Sequence, residues 1–97
     1  MPFIQIVEFR TSRLGEGQSY IDEYRKATEG RRTATRVRLC EDRDQPGHYL
    51  TIAEFPSYEE AMRNSRLPET SNLAEQLGRL AEDSPTFYNL EVIRDET

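Results

Sequence analysis

Three segments of this chain have strand composition and carry apolar side chains on both of their faces. Residues 3–10, Phe-Ile-Gln-Ile-Val-Glu-Phe-Arg, place Phe3, Val7 and Phe9 on one side and Ile4 and Ile6 on the other. Residues 48–55 set Tyr49, Ala53 and Phe55 against Leu50 and Ile52, and residues 86–94 set Phe87 and Ile93 against Tyr88, Leu90 and Val92. Side chains of a strand alternate between faces, so a strand with one wet face reads apolar–polar–apolar. These three do not, and both of their faces need cover. The chain has only 97 residues, 35% of them apolar, which supplies one covering layer and no more. A second copy of the same sheet is the simplest cover for the other face, giving a homodimer packed sheet to sheet.

The segments between the strands read as helices and turns. Thr11 to Gly17 is polar with two glycines and reads as a loop. Residues 18–29 then place Tyr20, Ile21, Tyr24 and Ala27 on one helical stripe, with Gly30 as the stop. Residues 33–40 alternate as a half-buried strand, and Asp42 to Gly47 is a hairpin connection into the strand 48–55. Ser57-Tyr-Glu-Glu60 forms a capping box, in which the Ser57 hydroxyl accepts from the amide of Glu60 and the Glu60 side chain reaches back. A helix from about 58 to 66 follows. Pro68 interrupts it, because proline removes a donor and crowds the preceding turn. A further stretch from about 70 to 82 carries Leu73, Ala74, Leu77, Leu80 and Ala81, and Ser84-Pro85 ends it. The order is β-α-β-β-α-β with the second helix broken at Pro68. It predicts one ferredoxin-like α+β domain over 1–97: a four-stranded antiparallel sheet, helices on one face, and the first and third strands central.

Composition narrows function by exclusion. Cys40 is the only cysteine and His48 the only histidine, so neither a disulfide framework nor a Cys- or His-rich metal centre can be assembled. The lone thiol fits a cytoplasmic location. No apolar run reaches the ~20 residues of a membrane span, and Met1 to Val7 lacks the pattern of a signal peptide. The net charge of −5 opposes general nucleic-acid binding. Charge is uneven, however, with +3 over residues 1–38 and −8 over the rest. The basic stretch Arg25, Lys26, Arg31, Arg32, Arg36 and Arg38 reads as a solvated helix end running into an edge strand, or as a phosphate-binding patch.

The stretch Leu50-Thr-Ile-Ala-Glu-Phe-Pro-Ser-Tyr-Glu-Glu-Ala-Met62, leading through Pro68 to Asn72-Leu-Ala-Glu-Gln-Leu77, together with the order of elements, resembles the dimeric α+β barrel superfamily and within it the antibiotic-biosynthesis-monooxygenase-like group. The resemblance implies a homodimeric barrel with a pocket between sheet and helices in each subunit. It also implies oxidation of a small aromatic or quinone-like molecule by molecular oxygen, with no metal or other cofactor. The chain departs from that group in having no tryptophan, and in carrying Asn64 before Pro68 and Glu69-Thr70 after it where many relatives have histidines. These departures favour the alternative of a non-catalytic dimer that binds a hydrophobic ligand or stabilises a partner.

Each candidate side chain has a chemical and a structural reading. Tyr20, Tyr24 and Tyr58 can offer phenol groups to a ligand carbonyl, or pack their rings and leave the hydroxyl at the surface. Asn64 can donate to and accept from a quinone or enol, or cap a fraying turn. Asn89 lies between Phe87 and Glu91 on the last strand and serves a ligand or a structural pairing. His48 is the one side chain suited to general-base work near neutral pH, yet it begins a strand just after Pro46-Gly47, where a surface hairpin histidine is expected. Glu8 and Glu54 are strand acids whose expected partners are Arg10, Arg36 and Arg38. Cys40, beside Glu41 and Asp42, lacks the surroundings of a nucleophile.

Overall fold

The computed structural model describes residues 1–97. Its order is β1 (Phe3–Arg10), α1 (Leu14–Ala27), β2 (Arg36–Glu41), β3 (His48–Phe55), α2 (Tyr58–Ser65), α3 (Pro68–Leu80) and β4 (Thr86–Glu91). The four strands form one antiparallel sheet in the order β2-β3-β1-β4. This is the ferredoxin-like topology expected from the sequence, with β1 and β3 central. The three helices lie on one face.

β1 and β3 pair over their full lengths, from Phe3 opposite Phe55 to Arg10 opposite His48. Phe3 and Phe55 are buried with Ala61 of α2, and Ala34, Ala53 and Met62 pack around them. Burying one such phenylalanine contributes roughly 1.5–3 kcal/mol. Alternation then assigns the rest of the sheet. Gln5, Val7 and Phe9 share the helix face with Phe3, while Ile4, Ile6 and Glu8 share the opposite face with Leu50, Ile52, Tyr88 and Leu90. No element of this chain covers that opposite face. The helices do not reach the edge strands on their own side either: Val37 of β2 is 61% exposed and Phe87 of β4 is 60% exposed.

The helices depart from the sequence reading in three places. α1 begins at Leu14 rather than near residue 18, so Gly15 and Gly17 are helical and not part of a loop. Gly17 is buried because α3 approaches α1 there; a Cβ at residue 17 would sit 3.4 Å from Leu77 Cδ2 and 3.7 Å from Leu80 Cδ1. The packed stripe of α1 therefore runs through Gly17, Ile21, Tyr24 and the fully buried Thr28, and Ala27 points to solvent. Pro68 marks the break between α2 and α3, as expected from the sequence. It occupies the first turn of α3, where its missing N–H costs nothing. α2 ends at Ser65, and its Ser57 cap accepts from the Glu60 amide at 3.2 Å, as expected. The Glu60 carboxylate pairs with Arg63 at 3.3 Å instead of returning to the cap.

Candidate functional site

The end of α1, the end of α2 and the start of α3 meet beside residues 28–34, and a ring of polar groups closes the junction. The backbone N–H of Thr33 donates to Asn64 Oδ1 at 3.2 Å. Asn64 Nδ2 donates to the Tyr24 hydroxyl at 3.4 Å. Tyr24 Oη and Thr70 Oγ1 are 2.9 Å apart, and Thr70 Oγ1 donates to the Asn64 carbonyl at 2.9 Å. A hydroxyl has one proton. Since that of Thr70 is spent on Asn64, the Tyr24 hydroxyl is the donor to Thr70. Thr33 Oγ1 also donates to the Glu60 carbonyl at 2.5 Å, and Thr28 Oγ1 to the Tyr24 carbonyl at 2.7 Å. All four side chains of the ring are part-buried and neutral, so the ring orients groups and accepts or donates hydrogen bonds without carrying charge. Beside it, Arg31 and Glu69 form a 2.6 Å ion pair at the surface that holds the Glu69 carboxyl below its usual range.

Of the candidates read from the sequence, Tyr24 and Asn64 come together in this ring. Tyr20 is half-buried one turn earlier on α1. Tyr58 is half-exposed and packs edge-on against Phe3, with ring centroids 5.4 Å apart. Asn89, on exposed β4, accepts from Gln5 Nε2 at 3.1 Å. Thr70 and Thr33 escape a sequence reading, because isolated threonines at helix and loop ends carry no local pattern.

His48 lies elsewhere. It is at the Arg10 end of β1, while the polar ring adjoins the Phe3 end, about 23 Å away along an eight-residue strand. It also points to the opposite face of the sheet from the helices. It is not a surface hairpin histidine: only 7% of it is exposed. Nδ1 lies 3.0 Å from Asp42 Oδ2 and Nε2 lies 3.0 Å from Glu8 Oε2. The second oxygen of Glu8 accepts from the Tyr88 hydroxyl at 3.4 Å. Glu8 thus takes a histidine and a tyrosine as partners rather than Arg10, which donates to Gln45 Oε1 at 2.9 Å. Glu54 does pair with Arg38, at 3.4 Å. The amide of Asp44, and after it His48, hold the Asp42 carboxyl below the usual carboxylate range. A cavity of about 210 Å³ opens in front of this group, walled by Glu8, Arg10, Gln45, His48, Asp83 and Thr86 among others. A second cavity, about 350 Å³, is bounded by Asp22, Arg25 and Lys26 of α1 and by Glu29 and Arg32 after it, a lining of mixed charge.

Comparison with solved structures places this architecture. Rv0793 from Mycobacterium tuberculosis superposes with a TM-score of 0.80 at 17% identity over 100% of both chains. SnoaB, a cofactor-independent oxygenase from Streptomyces nogalater, gives 0.81 at 16% identity over 97% of this chain and 95% of its own. A protein described as an antibiotic biosynthesis monooxygenase gives 0.76 at 15% identity over 97% and 100%. The fold is that of the antibiotic-biosynthesis-monooxygenase-like proteins. At these identities the likeness is one of fold alone, and that fold agrees with the one the resemblance read from the sequence implies. No family model matches the chain, and no curated protein matches it. No helix is long and apolar enough to cross a membrane.

Proposed function

We propose that the chain is a homodimer of 97-residue domains, each of which orients a small aromatic or quinone-like molecule beside Tyr24 and Asn64 for oxidation by molecular oxygen without a cofactor. The observation that carries this reading is the Tyr24–Asn64–Thr70 ring, in which a phenol and an amide at a helix junction can exchange their mutual hydrogen bonds for bonds to a ligand hydroxyl or carbonyl. The fold shared with SnoaB supports it. In such chemistry the substrate anion itself reduces oxygen. The protein contributes position and exclusion of water. The dimer reading rests on the uncovered apolar face formed by Ile4, Ile6, Leu50, Ile52, Tyr88 and Leu90.

Oxygen uptake with a panel of substituted hydroquinones tests the activity. Protein-dependent uptake that falls at least tenfold in Tyr24→Phe and Asn64→Ala supports the proposal. Equal uptake in buffer, or uptake indifferent to both substitutions, refutes it. One observation favours a second reading: every member of the ring is satisfied by another member, as in a structural clasp. On that reading the dimer binds a hydrophobic ligand or steadies a partner without turnover, and the hydroquinone panel gives no uptake.

A further inference from the structure

The polar ring at the helix junction is neutral, and the surface around it is not. Within two residues of its members Tyr24, Thr33, Asn64 and Thr70 stand six cations, Arg25, Lys26, Arg31, Arg32, Arg63 and Arg66, against three acids, Asp22, Glu23 and Glu69, in a chain whose net charge is −5. Two of the cations are engaged, Arg31 by Glu69 and Arg63 by Glu60. The rest make no ion pair, and Arg25, Lys26 and Arg32 among them line the cavity of about 350 Å³ that Asp22 and Glu29 share. Arg31 is the cation built into the junction itself. Its Nη2 donates to the Ala27 carbonyl at the end of α1 at 2.6 Å and to Glu69 Oε2 at 2.6 Å, and its Nη1 donates to Glu69 Oε1 at 3.3 Å. Glu69 immediately precedes Thr70, and Arg31 is two residues from Thr33. A guanidinium has five N–H donors, so Nε and Nη1 each keep one free. The pair lies at the surface, with the Arg31 side chain 47% and that of Glu69 30% exposed. Exposed pairs add little net stability, so a ligand anion can take the place of Glu69. The edge of Arg31 that Glu69 occupies matches any carboxylate, through parallel N–H···O bonds.

We propose that the helix junction takes an aromatic acid, a hydroquinone or quinone that carries a carboxylate, with Arg31 holding the acid group in place of Glu69 and the ligand's hydroxyl or carbonyl oxygens reaching Tyr24 and Asn64. This specificity rests on the ligand reading of the Tyr24–Asn64 pair. The neutral groups recognise hydroxyls and carbonyls, and Arg31 selects among the molecules that bear them. Arg25, Lys26, Arg32 and Arg66 add a field that draws anions to this end of the molecule. Arg31 is a specificity residue and takes no part in the oxygen chemistry.

The probes are gentisate, a hydroquinone carboxylate, and its methyl ester, which keeps the shape and loses the charge. Binding to the full chain is read from the amide NMR signals of Thr33 and Asn64. Gentisate should bind about tenfold more tightly than the ester at low salt, and the preference should shrink in about 0.5 M salt. Arg31→Gln should remove the preference. Glu69→Gln should strengthen it several-fold, because the competing carboxylate is gone. A merely structural ion pair predicts the same loss from both variants, so opposite signs separate the two roles. Far-UV circular dichroism checks that both keep the fold. Equal affinity for acid and ester overturns the proposal, as does a preference that survives Arg31→Gln or one that Glu69→Gln removes. If the acid is preferred and no oxygen is consumed, the specificity stands and the oxidation reading falls. If the ester binds and is oxidised as well as the acid, oxidation stands and the specificity falls. If neither ligand moves the signals of Thr33 and Asn64, the junction is not a ligand site and both fall.

Discussion

The hydroxyl of Tyr24 lies 2.9 Å from Oγ1 of Thr70, 46 residues further along the chain, and ties the last turns of α1 to the first turn of α3. Removing that hydroxyl leaves Thr70 Oγ1 without its donor and Asn64 Nδ2 without its acceptor. Tyr24→Phe should therefore cost about 1 kcal/mol, near the net worth of one intramolecular hydrogen bond. Asn64→Ala should cost more, about 1–3 kcal/mol, because it strands the part-buried N–H of Thr33. Urea unfolding checks both: the midpoint should fall with an unchanged slope.

Gly17 makes a prediction of the opposite sign. A Cβ there meets Leu77 and Leu80 at ordinary contact distances of 3.4 and 3.7 Å. Gly17→Ala adds helix propensity and apolar contact without a clash, and should stabilise by roughly 0.5–1 kcal/mol. Gly17→Leu drives a side chain into α3 and should destabilise by about 1–3 kcal/mol. Thermal unfolding of the pair should show the melting temperature rising for alanine and falling for leucine.

That glycine also shows where the sequence was legible and where it was not. β1 and β3 were readable to the residue, because runs of β-branched and aromatic side chains on both faces leave few alternatives. Gly15 and Gly17 looked like loop residues, since glycine lowers helix propensity. The 3-4-3-4 spacing of Leu14, Gly17, Ile21, Tyr24 and Thr28 was the signal that a close helix crossing, not a loop, required them. Pro68 marks the break between α2 and α3, and its fixed φ suits the first turn that it opens. Tyr24 and Asn64 were legible as candidates from their placement on helices. Their meeting through Thr70 and Thr33 was not, because it depends on how three helix ends converge. The burial of His48 was hidden for the same reason: Glu8 is 40 residues away and reaches it only through strand register.

Asp42 gives a pH dependence with a definite direction. Its folded-state pKa lies below the ordinary value of 3.8, through the Asp44 amide first and His48 second. In the window just below 3.8 the unfolded chain therefore binds more protons than the folded one, and stability rises with pH there. The contribution is present above 3.8 and is lost as pH falls through the folded value. Asp42→Asn should flatten the dependence in that window. Urea midpoints measured between about pH 2 and 5 for both chains check it. An unchanged slope would mean that the two contacts do not hold the carboxylate in solution.

The uncovered sheet face supplies the last prediction. Ile6 stands opposite Ile52 and Tyr88, and Leu50 opposite Glu8, so the centre of this face is an apolar band, with Arg36 and the Arg38–Glu54 pair toward one end and the His48 group at the other. A stable pair of sheets needs about 1,200–2,000 Å² of total burial, and a polar-ended apolar band has the layout of an interface core with its rim. The wild-type chain should sediment as a dimer at micromolar concentration. Ile52→Glu places a charge at the centre of the band, where two sheets would have to desolvate it. In a lone chain the same glutamate points to water. The variant should therefore sediment as a monomer while keeping its far-UV circular dichroism. A wild-type monomer would leave the band without its proposed cover. An Ile52→Glu dimer would place the interface elsewhere, most directly on β4, which is exposed along its whole length.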